Sequence, residues 1–283
     1  PLSRRQRQMC IRDSICIIGP RSSGKTTYLA GLAYWPDTHN QNFEVTPITK
    51  EAQNLVNQAE DIILSGDSLK RTEIDGFKIK TVYDLPLYSF QIEKKRRWRK
   101  PEEINLVVRD YPGEIFDDLA SGISNEIHQE FLNECLIPDI VGCLLLLHKW
   151  ELGNDRFYKK MIRRFMDLMD RRDRLKNLRL AVAMSKCERG EIWPGRLDPE
   201  LDLFEVHLPS TRKILRQRIP KNNLQFYAIS TFGVLERNNP RPNRADEEGS
   251  LRSVLRSPVQ WRPYGLISPL YWLSTGKRMQ SGV

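Results

Sequence analysis

The sequence predicts an α/β fold: a doubly wound, mostly parallel six-stranded sheet with one antiparallel hairpin strand and helices on both faces. Three observations point there. Short apolar runs alternate along the chain with longer amphipathic stretches, the order expected when strands and helices are laid down in turn. Four of the apolar runs are continuous, which marks parallel strands covered on both faces. One of them, "SICII" at 14–18, leads directly into "GPRSSGKT", a glycine-bearing turn that opens a helix.

Strands are expected at 14–18, 80–91, 105–109, 140–147, 178–184 and 224–229, and helices at 25–33, 50–64, 119–135, 155–175, 199–218 and 265–274. The second and third strands are joined by the polar "EKKRRWRKPEE" with no helix between them, so they pair as an antiparallel hairpin at one side of the sheet. In the helix at 155–175, Phe157, Met161, Phe165, Leu168 and Met169 recur at helical spacing, so its many cations are what that helix shows to water. Residues 232–263, rich in Pro, Asn, Arg and Glu, lack periodicity and read as a long loop. One domain is expected over 1–283, with an inserted helix at about 50–66 and that loop at about 232–263.

The 283 residues are 40% hydrophobic, ordinary for a globular chain. The longest apolar run, "IVGCLLLL", is far shorter than the roughly 20 residues needed to cross a bilayer. No signal-peptide pattern opens the sequence, so no transmembrane segment and a cytoplasmic location are expected. The five cysteines form no C-x-x-C pair and the four histidines no ligand spacing, which argues for reduced structural thiols and against a protein-ligated zinc. Any metal should arrive with a bound phosphate compound. The net charge of +9 gathers partly at 94–100, where Lys94, Lys95, Arg96, Arg97, Arg99 and Lys100 surround Trp98. That tip is a candidate contact for an anionic surface or nucleic acid, or a solvated turn.

Four motifs carry chemistry. In G-x-x-x-x-G-K-T at 19–26, Gly19 and Gly24 let the loop of Pro20, Ser22 and Ser23 curl around a β-phosphate. Lys25 then reaches the β- and γ-oxygens, Thr26 offers a hydroxyl to Mg²⁺, and Thr27 follows in the first turn. The second, "INLVVRDYPGE", ends a strand in Asp110, which can hold Mg²⁺ through a water. Gly113 can give an amide to a γ-phosphate; the same residues also make an ordinary turn. Tyr111 stands where many ATPases carry a second acidic residue. The third, "LAVAMSKCE", ends in Ser185, Lys186 and Glu188, and the fourth, "LQFYAISTF", in Ser230 and Thr231.

Taken in this order, the motifs resemble the Ras-like, translation-factor-related class of P-loop GTPases over 14–273. Within that class, "DYPGE" with "ISPLYWL" is similar to the bacterial double-GTPase proteins of conflict-type systems. The resemblance implies a GTP-binding molecular switch with GTP/GDP and Mg²⁺ as ligands, slow hydrolysis, and a protein effector or regulator as partner. It also implies that the Lys186 stem lies along the purine, that Glu188 accepts from guanine N1 and N2, and that an amide near Thr231 meets O6.

Three departures stand out. The family's base-reading aspartate is here Glu188, one methylene longer. Glu114 stands where relatives carry a glutamine that orients water, which implies slow turnover. The switch threonine, a metal ligand and catalytic residue in the family, is expected at Thr72, with Thr46 and Thr49 as alternatives. Arg109 points away from Asp110 and is not expected to act as an arginine finger. An ATPase or small-molecule kinase, and a non-hydrolysing nucleotide-dependent scaffold, remain rival readings.

Overall fold

The structure, a computed structural model, describes residues 14–39, 43–65, 85–94, 102–109, 113–122, 126–151, 153–235, 240–246 and 253–279. In chain order the strands are β1 (Ser14–Ile18), β2 (Phe43–Pro47), β3 (Leu87–Lys94), β4 (Glu102–Arg109), β5 (Ile140–Leu147), β6 (Arg179–Met184), β7 (Leu224–Ala228), β8 (Arg244–Asp246) and β9 (Ser253–Leu255). The α-helices are α1 (Lys25–His39), α2 (Lys50–Glu60), α3 (Glu114–Ser121), α4 (Glu126–Glu134), α5 (Asn154–Arg171), α6 (Pro209–Arg218) and α7 (Ser268–Thr275).

A four-stranded parallel sheet, in the order β1-β5-β6-β7, forms the centre. Strands β1, β5 and β6 are continuous apolar runs, β7 alternates buried Leu224, Phe226 and Ala228 with half-buried Gln225 and Tyr227, and successive side chains divide between two cores as the pleat requires. Cys16, Ile18, Leu145, Leu147, Val182 and Met184 face one side, against Met161, Phe165 and Met169 of α5. Ile15, Ile17, Leu144, Leu146, Ala181 and Ala183 face the other, against α1 and α7. Each Ile, Leu, Val or Met among them contributes roughly 1.5–3 kcal/mol by leaving water. On α5 the buried stripe is Tyr158, Met161, Ile162, Phe165, Met166 and Met169; Phe157 and Leu168, expected in it, are only partly buried at its margin.

The expected single six-stranded sheet is not what forms. The strands at 87–94 and 102–109 do pair antiparallel, Leu87 opposite Arg109 through Lys94 opposite Glu102. With β2 they make a separate three-stranded antiparallel sheet, whose β4 packs beside β1. Strand β2 was not expected because its apolar content is only Phe43 and Val45, both buried, alternating with exposed Glu44 and Thr46. That alternation suits a strand with one solvated face. The expected strand at 80–91 begins at Leu87 among the described residues, and 80–84 and the basic tip beyond Lys94 lie outside them.

Other boundaries also differ. The helix expected at 119–135 is two, α3 and α4, because Gly122 ends the first in a left-handed conformation (φ +83°) that glycine adopts without strain. The one expected at 199–218 is a wide-turn segment, Pro199–Glu205, and then α6, which opens on Pro209. Helix α1 runs on to His39. The inserted helix forms as α2 and continues as a wide turn over Asp61–Ser65.

The expected loop at 232–263 holds the antiparallel pair β8–β9 and a buried Trp261, which donates Nε1–H to Thr231 O at 2.7 Å and stacks on Tyr34. Buried Asn243 donates to Ser257 O (2.9 Å) and accepts from Ser257 N (2.8 Å). Order there comes from side-chain-to-backbone bonds, which leave no periodic trace. Cys16, Cys135, Cys143 and Cys187 are buried thiols outside any disulfide, and burial pushes the Cys187 thiol up. Among the described residues, no helix is long and apolar enough to cross a membrane.

Thr49 caps α2 and ties it to β3. Its Oγ1 accepts from Ala52 N (3.3 Å) and Ser89 N (3.1 Å) and donates to Leu87 O (2.8 Å). Thr49→Ala should therefore lower unfolding free energy by about 1–2 kcal/mol, and Thr49→Ser by much less, as read from urea midpoints at unchanged slope.

Candidate functional site

The turn between β1 and α1 is shaped by contacts that admit no side chain. Gly19 (φ +155°) lies so close to the neighbouring strand that a Cβ would stand 2.5 Å from Leu146 O. Gly24 (φ +86°) and Ser22 (φ +62°) supply two more left-handed residues, so the chain doubles back and brings the first amides of α1 to bear on the loop. Such a helix start is a ready anion cradle. Ser23 N donates to Pro20 O (3.2 Å), and buried Lys25 reaches back over the turn to Gly19 O (3.0 Å) and Pro20 O (3.3 Å). Ser23 Oγ is buried with no hydrogen-bond partner among the described residues. Thr26 and Thr27 are half-buried in the first turn of α1.

The start of α3 lies directly on this loop. A Cβ on Gly113 would stand 2.4 Å from both N and Cα of Arg21, so only glycine allows the two backbones to meet. Glu114 pairs with Arg21 at 3.5 Å, exposed on both sides. One turn on, the Asp117 carboxyl comes near the Arg21 backbone N–H. Burial pushes its carboxyl up, while that amide and nearby Lys25 pull it back. The sequence reading did not single out Asp117; its signal was a position three residues after Glu114, on the same helix face.

The end of β6 comes from the other side. Ser185 Oγ donates to Ser23 O at 2.8 Å and to Leu147 O at 3.3 Å, which fastens the SKCE segment to the loop. Lys186 is left-handed (φ +59°), and its Cε lies 3.8 Å from where a Gly24 Cβ would be, so its stem passes over the loop. Glu188 is 1% exposed. Burial pushes its carboxyl up, against the Ser230 hydroxyl, its own backbone N–H, Arg244 and Lys186. Arg244 Nη1 is 3.8 Å from Oε1, and Oε2 has no hydrogen-bond partner among the described residues. Ser230 Oγ is held by Gly233 N at 2.7 Å. The Thr231 methyl packs on α1, where a Gly31 Cβ would stand 2.5 Å from it.

Two further groups escaped sequence reasoning. Arg244 sits on β8, inside what read as featureless loop. His148, just past β5, is buried, with its pKa lowered to about 3 by desolvation and then by Lys186, Lys149, Arg189 and Lys25. It stays a neutral imidazole, and its Nδ1 has no partner among the described residues. Arg109 is engaged by Glu134 (2.7 Å) and Leu85 O (3.2 Å), away from the loop. Of the candidate switch threonines, Thr49 is committed to its cap and Thr46 is exposed on β2. Asp110 and Thr72 lie outside the described residues, as does the tip from Lys95 to Lys100. Among the described residues, no three His, Cys, Asp or Glu side chains gather as a metal site.

The site thus joins an amide-lined loop with a lysine at one end to a buried carboxylate with an unpartnered oxygen at the other. The first end suits a polyphosphate and the second a group with paired N–H donors.

No protein-family profile and no curated protein matches the chain. Among solved structures it is similar to a crystal structure of sup35 complexed with GDP, at TM-score 0.32 and 12% identity over 80% of this chain. The match spans 39% of that chain's length. Likeness at that level carries no argument about fold or activity.

The contact at Gly113 generates a direct test. Gly113→Ala should destabilise the protein by about 1–3 kcal/mol and speed hydrogen exchange at the amides of residues 21–25. Gly190, where a Cβ would meet nothing within 4 Å, should accept Ala with neither effect.

Proposed function

We propose that the chain is a guanine-nucleotide switch that binds GTP with Mg²⁺, hydrolyses it slowly to GDP and phosphate, and signals through nucleotide-dependent binding of a protein partner. One observation carries this reading: Gly113 against Arg21 and Ser185 Oγ on Ser23 O bring two distant motifs onto one loop. In the proposed complex the loop amides and Lys25 hold the β- and γ-phosphates. Glu188 Oε2 accepts from guanine, for which a donor pair fits and adenine, lacking one on that edge, does not. Thr26, Asp110 and Thr72 would hold Mg²⁺, which neutralises phosphate charge when bound.

Hydrolysis transfers the γ-phosphorus from the β–γ bridging oxygen to a water oxygen, whose proton passes to phosphate. Lys25 and the loop amides stabilise the charge that develops on the bridging and γ-oxygens. Glu114 is a carboxylate turned toward Arg21 and cannot donate to the γ-phosphate, so turnover should fall well below a typical ~10 per second. Asp117 on the Arg21 amide, near Lys25, gives the loop a reason to change: a γ-phosphate drawn to Lys25 repels that carboxylate and so pushes on the first turn of α3. A second reading, an ATP-directed enzyme, is favoured by one contact, Arg244 at 3.8 Å from Glu188, which commits part of the carboxylate to the chain's own cation.

Competition of GTP, ATP and XTP against a labelled nucleotide tests both. Two charge-assisted bonds at about 1.5–3 kcal/mol each should separate GTP from ATP by about a hundredfold or more. Glu188→Gln should erode that gap and improve XTP binding, and Lys25→Ala should abolish binding of all three. Equal competition by ATP on the wild type would move the second reading ahead.

A pH series adds an independent check. Because burial raises the Glu188 carboxyl, the guanine preference is present above that raised pKa and is lost as pH falls through it. GTP affinity should therefore drop toward that of ATP at a pH where exposed carboxylates remain ionised, with ATP affinity unchanged.

A further inference from the structure

We propose that the cavity between the end of α3 and the first half of α5 is the docking site for an acidic, amphipathic segment of a protein partner. The cavity measures about 570 Å³ and is lined by Ala120, Phe157 and four cations, Arg156, Lys160, Arg163 and Arg164. Arg156, Lys160 and Arg163 are exposed and recur at i, i+4 and i+7, so they share one helix face. None of the four has a carboxylate within ion-pair distance among the described residues, whereas Arg212, Arg216 and Arg218 of neighbouring α6 are paired with Glu200, Glu205 and Asp167. Like charges at this spacing repel and weaken the helix that carries them. Lining a concavity with them favours a ligand that supplies the missing charge.

The layout favours a protein segment as that ligand. At about 1.5 Å rise per residue the cations spread over roughly 10 Å of helix, more than a single phosphate can meet. Phe157 and Ala120 add an apolar floor that carboxylates alone would leave uncovered. A helix or strand presenting spaced carboxylates around an apolar side chain matches both features, with Arg available for bidentate pairing.

The position also links the cavity to the nucleotide loop. Arg164 Nη1 donates to Leu119 O at 2.5 Å, and a Cβ on Gly122 would stand 2.6 Å from Arg164 Nη2, so the guanidinium closes on the last turn of α3. The first residue before that helix is Gly113, against Arg21. A short rigid helix therefore runs from loop to cavity. Coupling of docking to nucleotide rests on the switch reading above; the docking site itself does not.

The test uses a fluorescein-labelled amphipathic peptide with glutamates at i, i+4 and i+7 around a leucine, titrated into the full chain by anisotropy. Charge-dependent binding is expected, absent for the glutamine version of the peptide and weakened by salt. It should weaken roughly tenfold or more in Lys160→Glu/Arg163→Glu, with melting temperature and GTP binding unchanged. No binding, or equal binding by the glutamine peptide or by the variant, overturns the proposal. So does inorganic tripolyphosphate or single-stranded RNA that binds more tightly than the peptide and loses its affinity in the same variant. With peptide binding intact, equal affinity under GDP and under a non-hydrolysable GTP analogue overturns the switch reading and leaves the docking site standing.

Discussion

Everything at the candidate site depends on backbone meeting backbone where no side chain can fit. Gly19 presses on the Leu146 carbonyl and Gly113 on Arg21, so the turn after β1 is gripped from β5 on one side and from the start of α3 on the other. The parallel sheet makes this possible: β1 and β5 are neighbours in register, Ile18 beside Leu145, and both deliver their carboxyl ends to the same edge. Ligand sites gather at such edges in open α/β sheets because the loops and helix starts converge there. At Gly19 and Gly24 the loop can then present its backbone without a side chain in the way, and Lys25 reaches back over the turn.

Electrostatics divide the site into unlike halves. Around the loop the fixed charge is positive, and it is strong enough to help hold His148 neutral with its pKa near 3. At the other end Glu188 keeps a carboxylate almost out of water, supported by Ser230 and Arg244. A buried carboxylate with an unused acceptor is costly to maintain, and in the proposed switch guanine repays that cost in hydrogen bonds. Arg244, from β8, gives that carboxylate a cation 3.8 Å away that the short motif around Glu188 does not contain.

The central sheet and the glycine-bearing turn between β1 and α1 were legible because each is a local pattern. Continuous apolar runs announce β1, β5 and β6, and G-x-x-x-x-G-K-T can be read within eight residues. What the pattern missed depends on distant partners. Strand β2 has only Phe43 and Val45 to show and is defined by pairing with β3. The β8–β9 pair is held through Asn243, Ser257 and Trp261, and the break between α3 and α4 turns on the single residue Gly122. Asp117, His148 and Arg244 acquire their roles from the loop and from Glu188, which spacing along the chain cannot express. Arg156, Lys160 and Arg163 of α5 face water as the sequence reading has them, but the cavity that α3 forms beside them is a product of packing.

The central claim is that this loop and this carboxylate together hold a guanine nucleotide. The most direct measurement is to incubate the purified chain with Mg²⁺ and an equimolar mixture of GTP and ATP, remove unbound ligand, denature the protein and identify what is released. The account predicts guanine nucleotide, as GTP with a slowly growing share of GDP, and little adenine. Release of adenine nucleotide in equal or greater amount, or of no nucleotide at all, would contradict it.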